Sequence, residues 1–289
     1  MIIKPFLTIL HDYIARRWIN CFVKKLSNTT IPWIKNTLIR IYIKLYKPSL
    51  QEAVKTNPKD YNNLKELFTR KLKPQARTIA QKPKVMIAPA DGQLTSYGSI
   101  KKSTIITAKK HTYTINSLVA KNKHAFTTGY FTVIYLAPHN YHRFHMPLAG
   151  KITNITYIPG SFFAVNPKIE SHVPDLFTRN ERLVIDTENE FGYLTIIPIG
   201  AFIVGSITLN IPEFTESTNF DKISTRIYQE GSKIYLSKGE ELGYFSFGST
   251  IILLFTFKGN NFIWKQKTIT KSEIFMGEPL GYIQYRHVK

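Results

Sequence analysis

KGEELGYFSFGSTIILLF, residues 238–255, is the stretch on which the fold turns. Glycines at 239, 243 and 248 punctuate its first part, and an apolar run follows from Thr250 to Phe257. Such a run, entered through a glycine turn, reads as a buried β-strand. The same texture of Ile, Val, Thr, Tyr and Phe broken by Gly, Pro and Asn recurs at 131–137, 152–158, 182–186, 193–199, 201–208 and 233–236. From Val85 onward the chain therefore reads as a mostly β body.

Upstream the period changes. Phe6, Leu10, Tyr13, Ile14, Trp18, Cys21 and Phe22 fall at helical spacing within 5–25, with Asp12, Arg16, Arg17, Lys24 and Lys25 opposite. A second amphipathic helix is expected from Pro32 to Tyr46, with Ile34, Leu38, Ile41, Tyr42 and Leu45 on one face and Lys35, Asn36, Arg40 and Lys44 on the other. Pro32 suits a first turn and Pro48 stops the run. Ser49 with Glu52 makes a capping-box pattern that predicts a short third helix, and Asp60 reads as the cap of another from Tyr61 to about Leu72. The expected class is α+β: a helical, basic region over 1–75, then a β-rich catalytic body over 76–289. Trp18 and Trp33 near the boundaries of two basic helices fit helices lying in a membrane interface. Ordinary helices packed on the core are the competing reading.

Composition narrows the partners. The 289 residues carry 39 Lys and Arg against 19 Asp and Glu, a formal +20, which favours nucleic acid or an acidic membrane unless it is compositional drift. Alternating aromatic and basic residues of the kind that bind nucleic acid are not found, so no nucleic-acid partner is expected. One cysteine, Cys21, excludes an intramolecular disulfide framework and a multi-cysteine metal site. Lys4, His11 and Asp12 interrupt the N-terminal apolar residues, which fit neither a signal peptide nor a span of ~20 apolar residues.

Four segments carry candidate chemistry. In Pro89-Ala90-Asp91-Gly92, Asp91 is either a turn residue or a carboxylate that orients a histidine. His142 and His145, in YHRFHMPLAG (141–150), lack the further ligands a metal site needs and suit acid–base work better. Gly160–Pro167 with Asn180-Glu181-Arg182 matches no generic motif. Gly248-Ser249 precedes the apolar strand, and Gly205-Ser206 is a rival of the same type. A serine behind a glycine, with histidines elsewhere, can attack the preceding carbonyl and convert amide to ester. β-Elimination would then leave a pyruvoyl group, an electron sink that ordinary side chains do not supply.

In their order along the chain, these segments resemble the pyruvoyl-dependent phosphatidylserine decarboxylases. LKELFTRKLKP (64–74), APADGQLTSYG (88–98), KKHTYTINSLVA (109–120), YHRFHMPLAG (141–150), IGAFIVGSI (199–207) and KGEELGYFSFGSTIILLF (238–255) carry the likeness. One departure is Phe247, where the family commonly has leucine. The resemblance implies cleavage at Gly248–Ser249 into a β chain (1–248) and an α chain (249–289) that stay associated as a heterodimer, and a dimer of two such cleaved protomers. It implies that Asp91 orients His145, that His145 deprotonates Ser249, and that His142 supplies a proton in catalysis. The pyruvoyl group from Ser249 would form a Schiff base with phosphatidylserine and release CO2 and phosphatidylethanolamine, with no metal. The expected location is the cytoplasmic face of the inner membrane, as a peripheral protein on acidic lipid. A serine hydrolase that never cuts itself is the alternative using the same residues.

Overall fold

The computed structural model describes residues 22–107, 111–120, 126–201, 207–211, 222–229, 231, 234–265 and 272–285. The helix expected over 5–25 lies outside these up to Cys21, as does Gly205-Ser206; residues 22–27 are helical. The remaining helices used below are α1 (Pro32–Tyr46) and α2 (Leu64–Phe68). The strands begin with β1 (Val85–Ile87), β2 (Gly92–Lys101), β3 (Thr104–Ile106), β4 (Thr112–Thr114), β5 (Thr128–Leu136), β6 (Arg143–His145), β7 (Gly150–Ile158), β8 (Arg182–Asn189) and β9 (Gly192–Gly200). They continue with β10 (Ile207–Leu209), β11 (Ser224–Ile227), β12 (Ile234–Leu236), β13 (Glu241–Phe245), β14 (Ser249–Phe257), β15 (Asn260–Trp264), β16 (Glu273–Ile274) and β17 (Pro279–Tyr285).

The apolar run forms β14, at the centre of an eleven-stranded sheet ordered β11-β7-β8-β9-β14-β5-β2-β3-β4, with β12 added on β7 and β16 on β2. β14 pairs antiparallel with β9 and β5, and Ser249 faces Gly200 on one side and Leu136 on the other. Side chains alternate across a strand. Ile251, Leu253, Phe255 and Phe257 therefore enter one apolar cluster, while Ile252 and Leu254 enter the other. Burial on both faces explains why this strand reads as continuously apolar rather than alternating. Two three-stranded sheets, β1-β17-β15 and β10-β13-β6, complete the β body. The mostly β, α+β expectation holds.

Helix α1 has the expected bounds, with Pro32 in its first turn and Lys47 in the left-handed conformation after its last. Its face differs from expectation: Ile39 and Tyr42 are buried, while Ile41 and Leu45 are exposed. The expected third helix at Ser49–Glu52 does not form. Instead Ala53 bridges to Leu72, and Glu52 turns its carboxylate to the Arg77 guanidinium, which a capping box would have used up. The following helix is also shorter than expected. Its cap is Asn63, which accepts from the Glu66 amide at 2.8 Å, and Asp60 ends a separate 3-10 turn. α1 and α2 pack on the β body through Tyr42, whose hydroxyl donates to Pro138 O at 2.5 Å, and Phe68.

Candidate active site

Ser249 is the first residue of β14, and its hydroxyl is fully buried with no hydrogen-bond partner among the described residues. An idle hydroxyl in the interior is costly, and its retention calls for a reason. Gly248 before it is not imposed by packing. A Cβ there would meet nothing closer than Ala201 Cβ at 4.0 Å, and its φ is not in the left-handed region.

His145 is the last residue of β6 and His142 immediately precedes its first; the register of β6 against β13 sets His145 opposite Glu241, while His142 O accepts from the Phe245 amide. At ~3.3 Å per residue this separates the two positions by about 10 Å along the strand, with His142 at the end nearer Ser249. The His142 ring lies 4.0 Å from that of Phe68, which is 4.6 Å from that of Phe247. Its Nδ1 lies 3.0 Å from Asn140 O. A carbonyl can only accept, so Nδ1 carries the proton and Nε2 bears a lone pair, buried and unpartnered among the described residues. Burial drives its pKa down to about 3, with the nearby Arg70 charge acting in the same direction.

His145 is fixed differently. Its Nδ1 donates to Gly239 O at 2.9 Å, so Nε2 accepts the Tyr141 hydroxyl at 3.0 Å. Burial lowers its pKa, against opposing contributions from the Gly239 carbonyl, Glu241 and Asp91. Burial likewise raises that of Tyr141, which keeps its proton and remains a donor.

Asp91 is buried, and the two ring nitrogens of His145, which it is expected to orient, face Gly239 O and the Tyr141 hydroxyl instead. Its carboxylate is held by Arg77, at 2.9 Å from Nε and 2.5 Å from Nη2, and by the Met276 amide at 2.9 Å. Arg77 also grips Glu52 at 2.9 Å, and these bonds outweigh burial to raise its pKa. The Asp91 charge raises the His145 pKa against the effect of burial. The backbone still joins the two segments, since the His145 amide donates to Pro89 O at 2.8 Å. Gly92 is required by close approach: a Cβ there would lie 2.5 Å from Tyr135 O.

Asn180 and Arg182, in the segment that matched no generic motif, form a clamp. Asn180 holds Phe163 through both its amide atoms, at 3.0 and 2.8 Å, and reaches Gly200 O at 2.9 Å. Arg182 donates to the carbonyls of Leu118, Thr178, Asn180 and Ser117, and burial lowers its pKa to about 10. The clamp fixes the loop that carries Ala164, Val165 and Asn166 against the end of β9. That loop, with Leu38, Ile41 and Leu45 of α1, Phe68, and Phe247-Gly248, walls an apolar cavity of about 370 Å³ beside the Gly248–Ser249 bond.

Arg77, Tyr141, Asn180 and Arg70 gave little or no sign of their roles in sequence. Among the described residues, no group of three His, Cys, Asp or Glu converges as a metal site, and no helix is long and apolar enough to cross a membrane. A family model described as phosphatidylserine decarboxylase matches residues 64–282. The phosphatidylserine decarboxylase proenzyme of Saccharophagus degradans is 38% identical over 260 residues, 89% of this chain and 90% of its own. That of Coxiella burnetii is 36% identical over 280 residues, covering 96% of this chain and 98% of the relative.

Proposed function

Because the chain belongs to the phosphatidylserine decarboxylase family, we propose that it is a carboxy-lyase that converts phosphatidylserine to phosphatidylethanolamine and CO2. The observation that carries the proposal in the structure is the buried, unpartnered Ser249 hydroxyl directly behind Gly248. Self-cleavage there divides the chain into 1–248 and 249–289, in keeping with the proenzyme name of its relatives. A pyruvoyl group made from Ser249 would supply an electrophilic carbonyl that takes up the electron pair left by departing CO2.

The side chains divide the proton work. Asp91 and His145 share one buried charge cluster, which supports His145 as the base for Ser249 with Asp91 biasing it electrostatically. Because the Tyr141 hydroxyl occupies Nε2, His145 reaches Ser249 only by releasing Tyr141 or by acting through it. His142 delivers the proton to the carbon that loses CO2. In the uncleaved chain its Nε2 is proton-free, so it takes up that proton once cleavage has opened the site. The apolar cavity beside Gly248 suits the lipid part of the substrate.

The exposed apolar residues of α1, Trp33 (74% exposed), Ile41 and Leu45, stand among Lys35, Arg40 and Lys44. They support the reading of 1–75 as a membrane-associating region and 76–289 as the decarboxylase domain, peripheral on the cytoplasmic side of the inner membrane. A dimer of cleaved protomers completes the assembly.

Intact mass under denaturing conditions tests the core of this reading. Two species, split at Gly248–Ser249 with the smaller blocked at its N-terminus, are expected. One unmodified 33.3 kDa species in active preparations would overturn it and favour a serine hydrolase.

A further inference from the structure

Arg70 is a buried cation, 4% exposed, with no carboxylate at ion-pair distance among the described residues. Its Nη2 donates to the carbonyls of His139 at 2.8 Å and Asn140 at 3.2 Å. Nε and Nη1 are buried without a partner among the described residues, although the Tyr42 hydroxyl stands beside the guanidinium. Burying a charge so poorly compensated is expensive, so the arrangement calls for an anion at some stage of the protein's life.

Its position says which. The Asn140 carbonyl that accepts from Arg70 also accepts from His142 Nδ1. Ser249 faces Leu136 across the β5–β14 ladder, which sets Gly248 opposite Ala137, and Ala137 opens the turn that closes at Asn140. From the other side, the Phe68 ring, two residues before Arg70, touches that of Phe247. Arg70 therefore reaches under the turn that flanks the scissile bond. The guanidinium is closed to solvent, a poor arrangement for capturing an anion from outside. An anion generated within the protein meets no such barrier.

We propose that Arg70 is the receptor for the carboxylate that self-cleavage creates at Gly248, and that it speeds the elimination step by stabilising this leaving group. The proposal rests on the self-cleavage reading above. Attack of Ser249 Oγ on the Gly248 carbonyl breaks the C–N bond and gives an ester and a free amine. A base then removes the Ser249 Cα proton, the Cβ–O bond breaks, and the electron pair departs on the Gly248 carboxylate. Residue 249 is left as a dehydroalanine, whose enamine is hydrolysed by water to the ketone with loss of ammonia. A neutral ester becomes a full and lasting anion in the elimination, so a cation already in place acts most on that step, beyond what it gives the transient oxyanion of the acyl shift.

The test follows Arg70→Met and Arg70→Lys beside the unaltered protein by intact mass over time, with and without hydroxylamine, which cuts esters but not amides. The unaltered protein splits into two species. R70M is expected to mature on the order of 100-fold more slowly while accumulating a full-length species that hydroxylamine cuts at Gly248–Ser249, with R70K in between. Maturation of R70M at the unaltered rate overturns the proposal, and a raised KM for phosphatidylserine in that variant would assign Arg70 to the substrate phosphate instead. Full-length R70M that resists hydroxylamine also overturns it, because Arg70 then serves the acyl shift or folding. If the unaltered protein never splits, the self-cleavage reading itself has failed.

Discussion

The two histidines show how much three residues of separation can hide. Burial holds His142 near 3 and lowers His145, whereas both have an ordinary value of 6.5 in an unfolded chain. Below that value the unfolded chain binds protons that the folded chain refuses. Stability is therefore complete above about pH 6.5 and falls as pH drops, by up to ~1.4 kcal/mol per pH unit for each buried histidine. Chemical denaturation of an uncleavable Ser249→Ala protein between about pH 7 and pH 5 should show this decline, and His142→Gln should flatten it. An unchanged slope in H142Q would mean that His142 is not held neutral by the fold. Gly248 gives the opposite kind of prediction. The space around it accepts a methyl group, so Gly248→Ala should unfold at the same denaturant concentration as the parent. Its cleavage should slow by on the order of 100-fold, because the new Cβ crowds the carbonyl under attack. Equal losses of stability and cleavage would place the demand for glycine in packing after all.

Among the elements, those written in local sequence were legible and those built from distant partners were not. Pro32 and Pro48 bracket α1, and the apolar run fixes β14, because proline chemistry and a doubly buried strand each leave a mark within a few residues. The Ser49–Glu52 pattern misleads because Arg77, 25 residues on, claims the Glu52 carboxylate. Arg77 also takes the Asp91 carboxylate, and the Met276 amide donates to it, two partners that the local turn sequence around Asp91 does not announce. The buried face of α1 was misjudged because Pro138, contributed by the β body, draws Tyr42 inward and leaves Leu45 outside. This alters how membrane binding should be tested. Removing residues 1–47 would strip Ile39 and Tyr42 from the core as well as the surface stripe. The triple change Trp33→Glu, Ile41→Glu and Leu45→Glu keeps the core. In the uncleavable Ser249→Ala form it should lower partitioning onto acidic vesicles by at least ~100-fold, since each apolar side chain contributes roughly 1.5–3 kcal/mol when fully buried. Undiminished sedimentation would exclude this face of α1. In β14 itself, Leu253→Ala should cost about 2–5 kcal/mol by chemical denaturation of the S249A form, the range for a leucine removed from a packed core.

For the molecule as a whole, the sheet makes covalent continuity at residue 248 dispensable. β14 keeps its ladders with β9 and β5 and its side chains in two apolar clusters, and β17 remains paired with β1. Neither backbone ladders nor apolar contacts weaken much with ionic strength. The two pieces should co-elute on gel filtration in about 1 M salt and separate only in denaturant. Separation by salt alone would show that the pieces are held by surface charge.

A central strand that begins at the cut also gives this protein a history. Before cleavage, residues 249–289 are tethered to their slot, and folding is a first-order search by one chain. Afterwards, the same slot can be refilled only by a second-order encounter between two chains, one of them a small piece whose strand β14 finds its ladder partners β5 and β9 only on the other. The mature form is therefore a state reached through its precursor and, at cellular dilution, left only once. Its lifetime is set by the height of the unfolding barrier and not by the depth of the well.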